Sequence, residues 1–477
     1  MKKKLAVIMV LALTAGTLGG CGGGSAESGS SAKEKSTAEE SQSSSGDSGD
    51  EDKTTLVLWT RDRADASFIQ PYIDKYNETN EDGIYVDYQM YTDNFEQALD
   101  MAYATDSGPD LVGVSGMTDI FTKYVNQGQY VDIDQYMTNA EKERYASLKT
   151  EGITAMDGKM YYVPVFGSTG RLFYNESIFE KCGIKEPPKT MKEMTEDAKI
   201  ITDKLSGEGV YGFAMNLKSP SSALMRSVDF IVERSGGPKQ GYDFATGKYD
   251  FSMYKEVMEE FKTIFTTGIA FPGCESLDID PLRTQFAAGK IGMYISWSHA
   301  DPGVYANQFP TEEKWNVAQL PTIDGTAFSQ SIQPYKGYMI TKTCKNPEKA
   351  WIACRDLFYS DAFVKAFHEA GLGCVVVDDL KDQVSVPEIL KGKEEGLLGA
   401  DDKFWPATPQ ELNSQAVVVE GNDQYATFAA MMLGAEDIDS GLQGLTQRYN
   451  AALEKGISNG TGKELIIDNW DPANPGK

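Results

Sequence analysis

Two histidines, His299 and His368, are the whole imidazole content of the 477 residues, and neither sits in an HExxH or related spacing. A metal site or a Ser/His hydrolase triad has little material here, and no metal ligand set is expected. No GxSxG, no P-loop and no GxGxxG after a strand occurs, so no nucleotide or dinucleotide cofactor is expected either. Carboxylates are plentiful: 71 Asp and Glu against 45 Lys and Arg give a net charge of −26, which disfavours nucleic acid as a partner. A carboxylate pair spaced for glycoside hydrolysis is the enzymatic chemistry this composition leaves open. Aromatic and polar residues also meet at strand ends. The β-rich run TTLVLWT leads into Trp59-Thr60-Arg61-Asp62-Arg63, and KIGMYISW ends in Ser296 and Trp297, with His299 close behind. Loops beyond the carboxyl ends of strands are where open α/β sheets take ligands. Arg61 and Asp62 are therefore ligand candidates, Trp59 serves equally as core, Trp297 offers a stacking face, and His299 is either a donor or a structural histidine.

The cysteines divide into one and five. Cys21 follows three lysines and the apolar stretch Leu5 to Ala15, which is too short to cross a bilayer core of roughly 30 Å. That pattern is a secretion signal. Leu18-Gly19-Gly20-Cys21 resembles a bacterial lipobox, so residues 1–20 are expected to be cut away and Cys21 acylated. Residues 21–53 carry almost no apolar side chain beyond alanine and cannot offset their ordering entropy; they read as a disordered Gly/Ser/acidic tether. The other five, Cys182, Cys274, Cys344, Cys354 and Cys374, form no CxxC and are expected as buried thiols, with disulfides not excluded.

The remaining length suits two cores. Phe68, Ile69, Tyr72, Ile73 and Tyr76 share a helical face; Ile84, Val86, Tyr88 and Met90 alternate as in a strand; Phe95, Leu99 and Ala102 return to helical spacing before the strand-like PDLVGV. This β-α-β-α-β order favours a mostly parallel sheet with helices on both faces. Asp110 is expected to turn the chain into its strand. Asn346 can cap a helix with Pro347 in its first turn.

Taken in order, LVLWT, YQMY, SGPDLVGVSG, QGQYVDIDQYM, DGKMYYVPVFGSTGRLFYNESIFEKCGI with PPKTMKEM, YGFAM, FAAGKIGMYISW, VAQLPTIDG and GYMITKTCKNPEKAWIACRDLFYS resemble the extracellular solute-binding proteins of carbohydrate ABC transporters, the maltose-binding-protein-like family. The resemblance spans roughly Thr55 to Phe367. It implies a two-lobed, type II periplasmic-binding-protein-like α/β fold, with residues 54–132 and 317–375 in one lobe and 133–316 and 376–477 in the other. It implies a monomer that closes on a sugar and delivers it to permease subunits, lipid-anchored through Cys21 on the extracellular or periplasmic side, with no bond made or broken. Peptide or polyamine binding and a secreted lipoprotein glycoside hydrolase are the alternatives. Sugars present apolar C–H faces and paired hydroxyls, so aromatic rings and Asp, Glu, Arg or Asn side chains are needed. By position in the family's pattern, Ser115 and Gly116, Asp132, Phe166, Ser168 and Thr169 join Trp59, Arg61, Asp62, Trp297 and His299 as the expected ligand set. Tyr335-Lys336-Gly337 can add backbone contacts, and Trp405 is placed at the rim.

Overall fold

The computed structural model describes residues 53–63, 65–91, 94–115, 118–298 and 300–475. Cys21, the expected signal and residues 21–52 of the expected tether lie outside them; Lys53, expected as the end of the tether, instead donates to the Asn77 carbonyl at 2.8 Å. Strands β1 (Thr54–Thr60), β2 (Ile84–Met90) and β3 (Leu111–Ser115) alternate with helices α1 (Ala66–Thr79) and α2 (Phe95–Ala104), as the periodicity dictates. Ile69 and Ile73 are buried, and Phe68, Tyr72 and Tyr76 pack at the edge of the same core. β1 pairs in parallel with β2 and β3. Asp110 extends that pairing, its carboxylate accepting from the Val57 N–H at 2.9 Å.

Later segments complete two sheets. β4 (Phe166–Ser168), β10 (Gln333–Ile340) and β11 (Cys374–Val375) join the first, in the order β11-β4-β10-β3-β1-β2. β5 (Gly170–Asn175), β6 (Tyr211–Ala214), β7 (Ile291–Trp297) and β8 (Trp315–Ala318) make the second, ordered β8-β5-β7-β6. A short parallel pair, β9 (Gln330–Ser331) with β12 (Asp402–Lys403), lies between chain segments that link them. The expected mostly parallel sheet holds only for β1 to β3 and for β6 with β7. β10 runs antiparallel to β3 and β4, and β5 antiparallel to β7 and β8. β5 and β10 pair with strands far along the chain, so no βαβ unit fixes their direction.

Each sheet has its own core, which makes the molecule two-lobed. Leu56, Leu58 and Ile340 belong to one, Phe173, Phe213 and Met293 to the other. The core membership differs from the expected boundaries. Ile133, Leu148, Met160, Val163 and Phe166 pack with the first core, as do Val376, Val377 and Leu380 beyond residue 375, whereas Val317 and Ala318 belong to the second. An apolar residue declares that it will be buried, not which core receives it. β7 is buried on both faces up to Trp297, because helices cover both sides of its sheet.

Three helices complete the parts used below: α3 (Pro347–Ala353), α4 (Gln424–Met432) and α5 (Ile438–Ser458). Pro347 occupies the first turn of α3 as expected, but the Asn346 side chain makes no capping bond. All five cysteines of the described residues are free and buried. No described helix is long and apolar enough to cross a membrane.

Candidate functional site

A cleft of about 650 Å³ opens between the two sheets, where β4, β7 and β10 end or begin. From the first sheet come Arg61 just past β1, Ser168 at the end of β4, and Gln333, Pro334 and Tyr335 at the start of β10. Facing them is Trp297, the last residue of β7. Its half-buried indole is fixed edge-on by Phe230, with ring centroids 5.6 Å apart. Around it stand Ser221, Ser222 and Met225 of the segment Pro220–Asp229, Gln240, and Gln410, Ser414, Asp423, Tyr425 and Tyr449 from the C-terminal part.

The strand ends meet because Gly170 opens β5. A Cβ there would lie 2.4 Å from the Arg226 carbonyl oxygen and 2.7 Å from the Phe230 ring, so only glycine lets β5 pass under the Trp297 support. Arg226 is buried behind the cleft, donating to the Ser222 carbonyl at 3.0 Å and hydroxyl at 2.9 Å and to Asn216. Desolvation pushes its guanidinium down to about 10. It positions the cleft-lining Ser222.

Of the expected ligand set, the structure brings Arg61, Ser168 and Trp297 to this cleft. Thr169 is fully buried at the chain crossing: its hydroxyl donates to the Ser331 carbonyl at 3.1 Å and accepts from Gln330. The Phe166 ring is a core residue, 4.5 Å from the Phe367 ring. Trp59 donates to Gln89 at 2.9 Å and packs against Tyr91, outside the cleft wall. Asp62 is drawn onto Lys336 at 2.6 Å, and Asp132 accepts from the Asp134 N–H as a helix cap. The Ser115 backbone ends β3, but its side chain, Gly116 and His299 lie outside the described residues. Trp405 is a core residue as well, 1% exposed, with its indole N–H on Ser329. The residues missed are those of the C-terminal part, Asp423, Tyr425 and Tyr449, where the family pattern ran out. Their one local signal is Asp423 as the N-cap of α4. Among the described residues no group of three or more His, Cys, Asp or Glu could hold a metal ion.

Behind Tyr425 the acids are unusual. Asp229 accepts from the Tyr425 and Tyr254 hydroxyls at 2.8 and 3.1 Å, and burial pushes it up to about 8. Glu233 accepts from the Ser331 N–H at 2.9 Å and is pushed up to about 7, again by burial. Both bind a proton more tightly folded than unfolded, so stability is fully present below about pH 4 and is lost as pH rises toward 8. Asp229→Asn removes the larger of these contributions. Its unfolding midpoint is expected to drop less than the parent's between pH 5 and pH 8, where each such group contributes up to about 1.4 kcal/mol per pH unit. Equal drops would refute the assignment.

Residues 61–352 match the family model described as bacterial extracellular solute-binding protein. The chain belongs to that family. A protein named as a binding protein from Brucella abortus (strain 2308) is 26% identical over 364 residues, covering 75% of this chain and 82% of its own. The diacetylchitobiose binding protein DasA of Streptomyces coelicolor is 30% identical over 116 residues, 24% of this chain and 26% of its own. A solved structure from work on xylan utilization by the thermophilic bacterium Caldanaerobius polysaccharolyticus has a TM-score of 0.67 at 18% identity, covering 83% of this chain and all of the other. At that identity the likeness concerns the fold. The chain is thus a binding protein and not an enzyme, of a family that works outside the cytoplasm.

Proposed function

We infer that the solute is a sugar or oligosaccharide, taken up between the lobes and handed to ABC transporter permease subunits by a monomer anchored through acylated Cys21. The observation that carries the ligand class is Trp297. It presents a half-buried indole in a cleft otherwise rich in hydroxyl, amide and carboxylate groups, which matches a pyranose with an apolar face and a polar edge. The volume lies within the range of small-molecule sites. The likeness to DasA, a diacetylchitobiose binding protein, and to a structure from work on xylan utilization supports the same class. Of the expected ligand set, Trp297, Arg61 and Ser168 make the contacts, joined by Gln333, Asp423 and Tyr425, and each lobe contributes. The chain crosses between lobes near residues 168–170, 320–332 and 385–405, and closure about those crossings forms the surface that the permease reads. The lysines, the short apolar run and the lipobox-like end at Cys21 support the anchor, and residues 22–53 its tether.

A thermal-shift screen of the domain from Lys53 onward tests this. A saccharide at about 100 times its Kd adds about 2.7 kcal/mol of stability, and its epimers should not. Trp297→Ala is expected to weaken that saccharide by about 30-fold, roughly 2 kcal/mol, with folding intact by circular dichroism. Shifts with peptides or polyamines but no sugar would overturn the ligand class and leave the fold standing.

A further inference from the structure

A second concavity of about 500 Å³ lies on the second lobe, lined by neither Trp297 nor any other residue of the interlobe cleft. Its distinctive feature is Arg234. The residue is 7% exposed and lines the cavity, yet Nε and Nη1 are buried without a hydrogen-bond acceptor. The nearest carboxylate, that of the largely exposed Asp401, is 3.9 Å from Nη1, beyond hydrogen-bond reach. The contrast with Arg171 is direct, since that buried guanidinium spends its donors on Asp402 and on the carbonyls of Gly170, Glu395 and Leu397. A buried guanidinium with idle donors costs free energy unless an acceptor is supplied from outside.

The cavity wall offers the rest of a ligand site. Gln319 donates through Nε2 to Glu395 at 2.6 Å, which fixes its amide, and leaves Oε1 buried and unpaired. Tyr174, Pro187 and Leu320 give an apolar flank. We propose that this cavity binds a small organic oxyanion, with the acid group on Arg234, a hydroxyl donating to Gln319 Oε1, and the body against Tyr174 and Leu320. The charge-assisted bonds supply the selectivity for acids over neutral analogues.

The test uses the full chain with arginine Nε–H groups observed by NMR, titrated with phenyllactate, lactate and inorganic phosphate. A saturable shift of the Arg234 Nε–H below about 10 mM is expected with phenyllactate, and the weaker response to lactate reads the apolar flank. Phosphate producing the saturable shift while both carboxylates fail would keep the oxyanion on Arg234 and overturn the organic body. Calorimetry on Arg234→Gln should show affinity lowered at least about tenfold. Should that variant fail to fold, Ala327→Trp, at an exposed position on the cavity mouth, must weaken binding equally. No saturable shift with any probe, or binding unchanged in the variants, overturns the proposal. Saccharide affinity in the cleft is measured in parallel, so that a failure here and a failure of the sugar reading remain separate.

Discussion

Asp402→Ala is expected to destabilise the protein by about 3–5 kcal/mol, because it strands a guanidinium in the interior. Arg171 sits on β5 and Asp402 on β12, and both side chains are fully excluded from solvent. They pair through both nitrogen and oxygen atoms, Nη1 to Oδ1 at 3.2 Å and Nη2 to Oδ2 more closely. Arg171 then reaches the Glu395 carbonyl at 2.6 Å and the Leu397 carbonyl at 3.0 Å, while Asp402 accepts from the Gly399 N–H at 2.6 Å. The pair therefore holds residues 395–402 against the second lobe, in register with β9. Exposed ion pairs such as Lys189 with Glu186 contribute at most about 1 kcal/mol; burial is what makes loss of one partner costly here. Urea unfolding of Asp402→Ala measures the cost. A change under about 0.5 kcal/mol would mean that water reaches Arg171 and that the segment is not tied down. Hydrogen exchange at residues 395–402 should accelerate in the same variant.

What the sequence made legible was local. The faces of α1 and α2 follow from spacing within a dozen residues and appear as read, while in β2 the alternation holds for Ile84, Tyr85 and Val86 and fades from Asp87 to Met90, which are all partly buried. That Trp297 would reach the cleft was legible because a strand end and an aromatic suffice to place it there. Position along a strand does not reveal which way a side chain points, so Phe166 and Thr169, flanking a cleft residue on either side, turned into core and crossing. Asp62 looked free because its partner Lys336 is 274 residues away. Asp423 and Tyr425 reach the cleft only because α4 returns to the second core, a non-local contact that no local pattern encodes.

Lys336→Met should cost a similar 3–5 kcal/mol near neutral pH, and the cost should shrink on acidification. The Lys336 ammonium is 2.6 Å from Asp62 and 2.7 Å from Asp65, with the three side chains 4%, 10% and 1% exposed. Tyr335, a cleft residue, donates to the same Asp65 carboxylate at 2.9 Å. Asp62 and Asp65 hold the Lys336 ammonium charged against the opposing effect of burial, and burial acts on Asp65 in the direction of protonation. With the lysine gone, two buried carboxylates face each other and the proton affinity of Asp65 rises further. A carboxyl whose folded pKa is raised stabilises the fold when protonated and loses that contribution as pH climbs, so the variant approaches the parent at low pH and falls away from it toward neutrality. Methionine keeps the apolar stem and so isolates the charge, although the left-handed backbone at Lys336, φ 58°, remains in both proteins. Because Asp62 is held by Lys336 and adjoins the cleft residue Arg61, affinity for the solute should fall along with stability. A Lys336→Met deficit that stays constant with pH would show that Asp62 and Asp65 do not depend on this ammonium, and that Arg61 is held in place by other contacts.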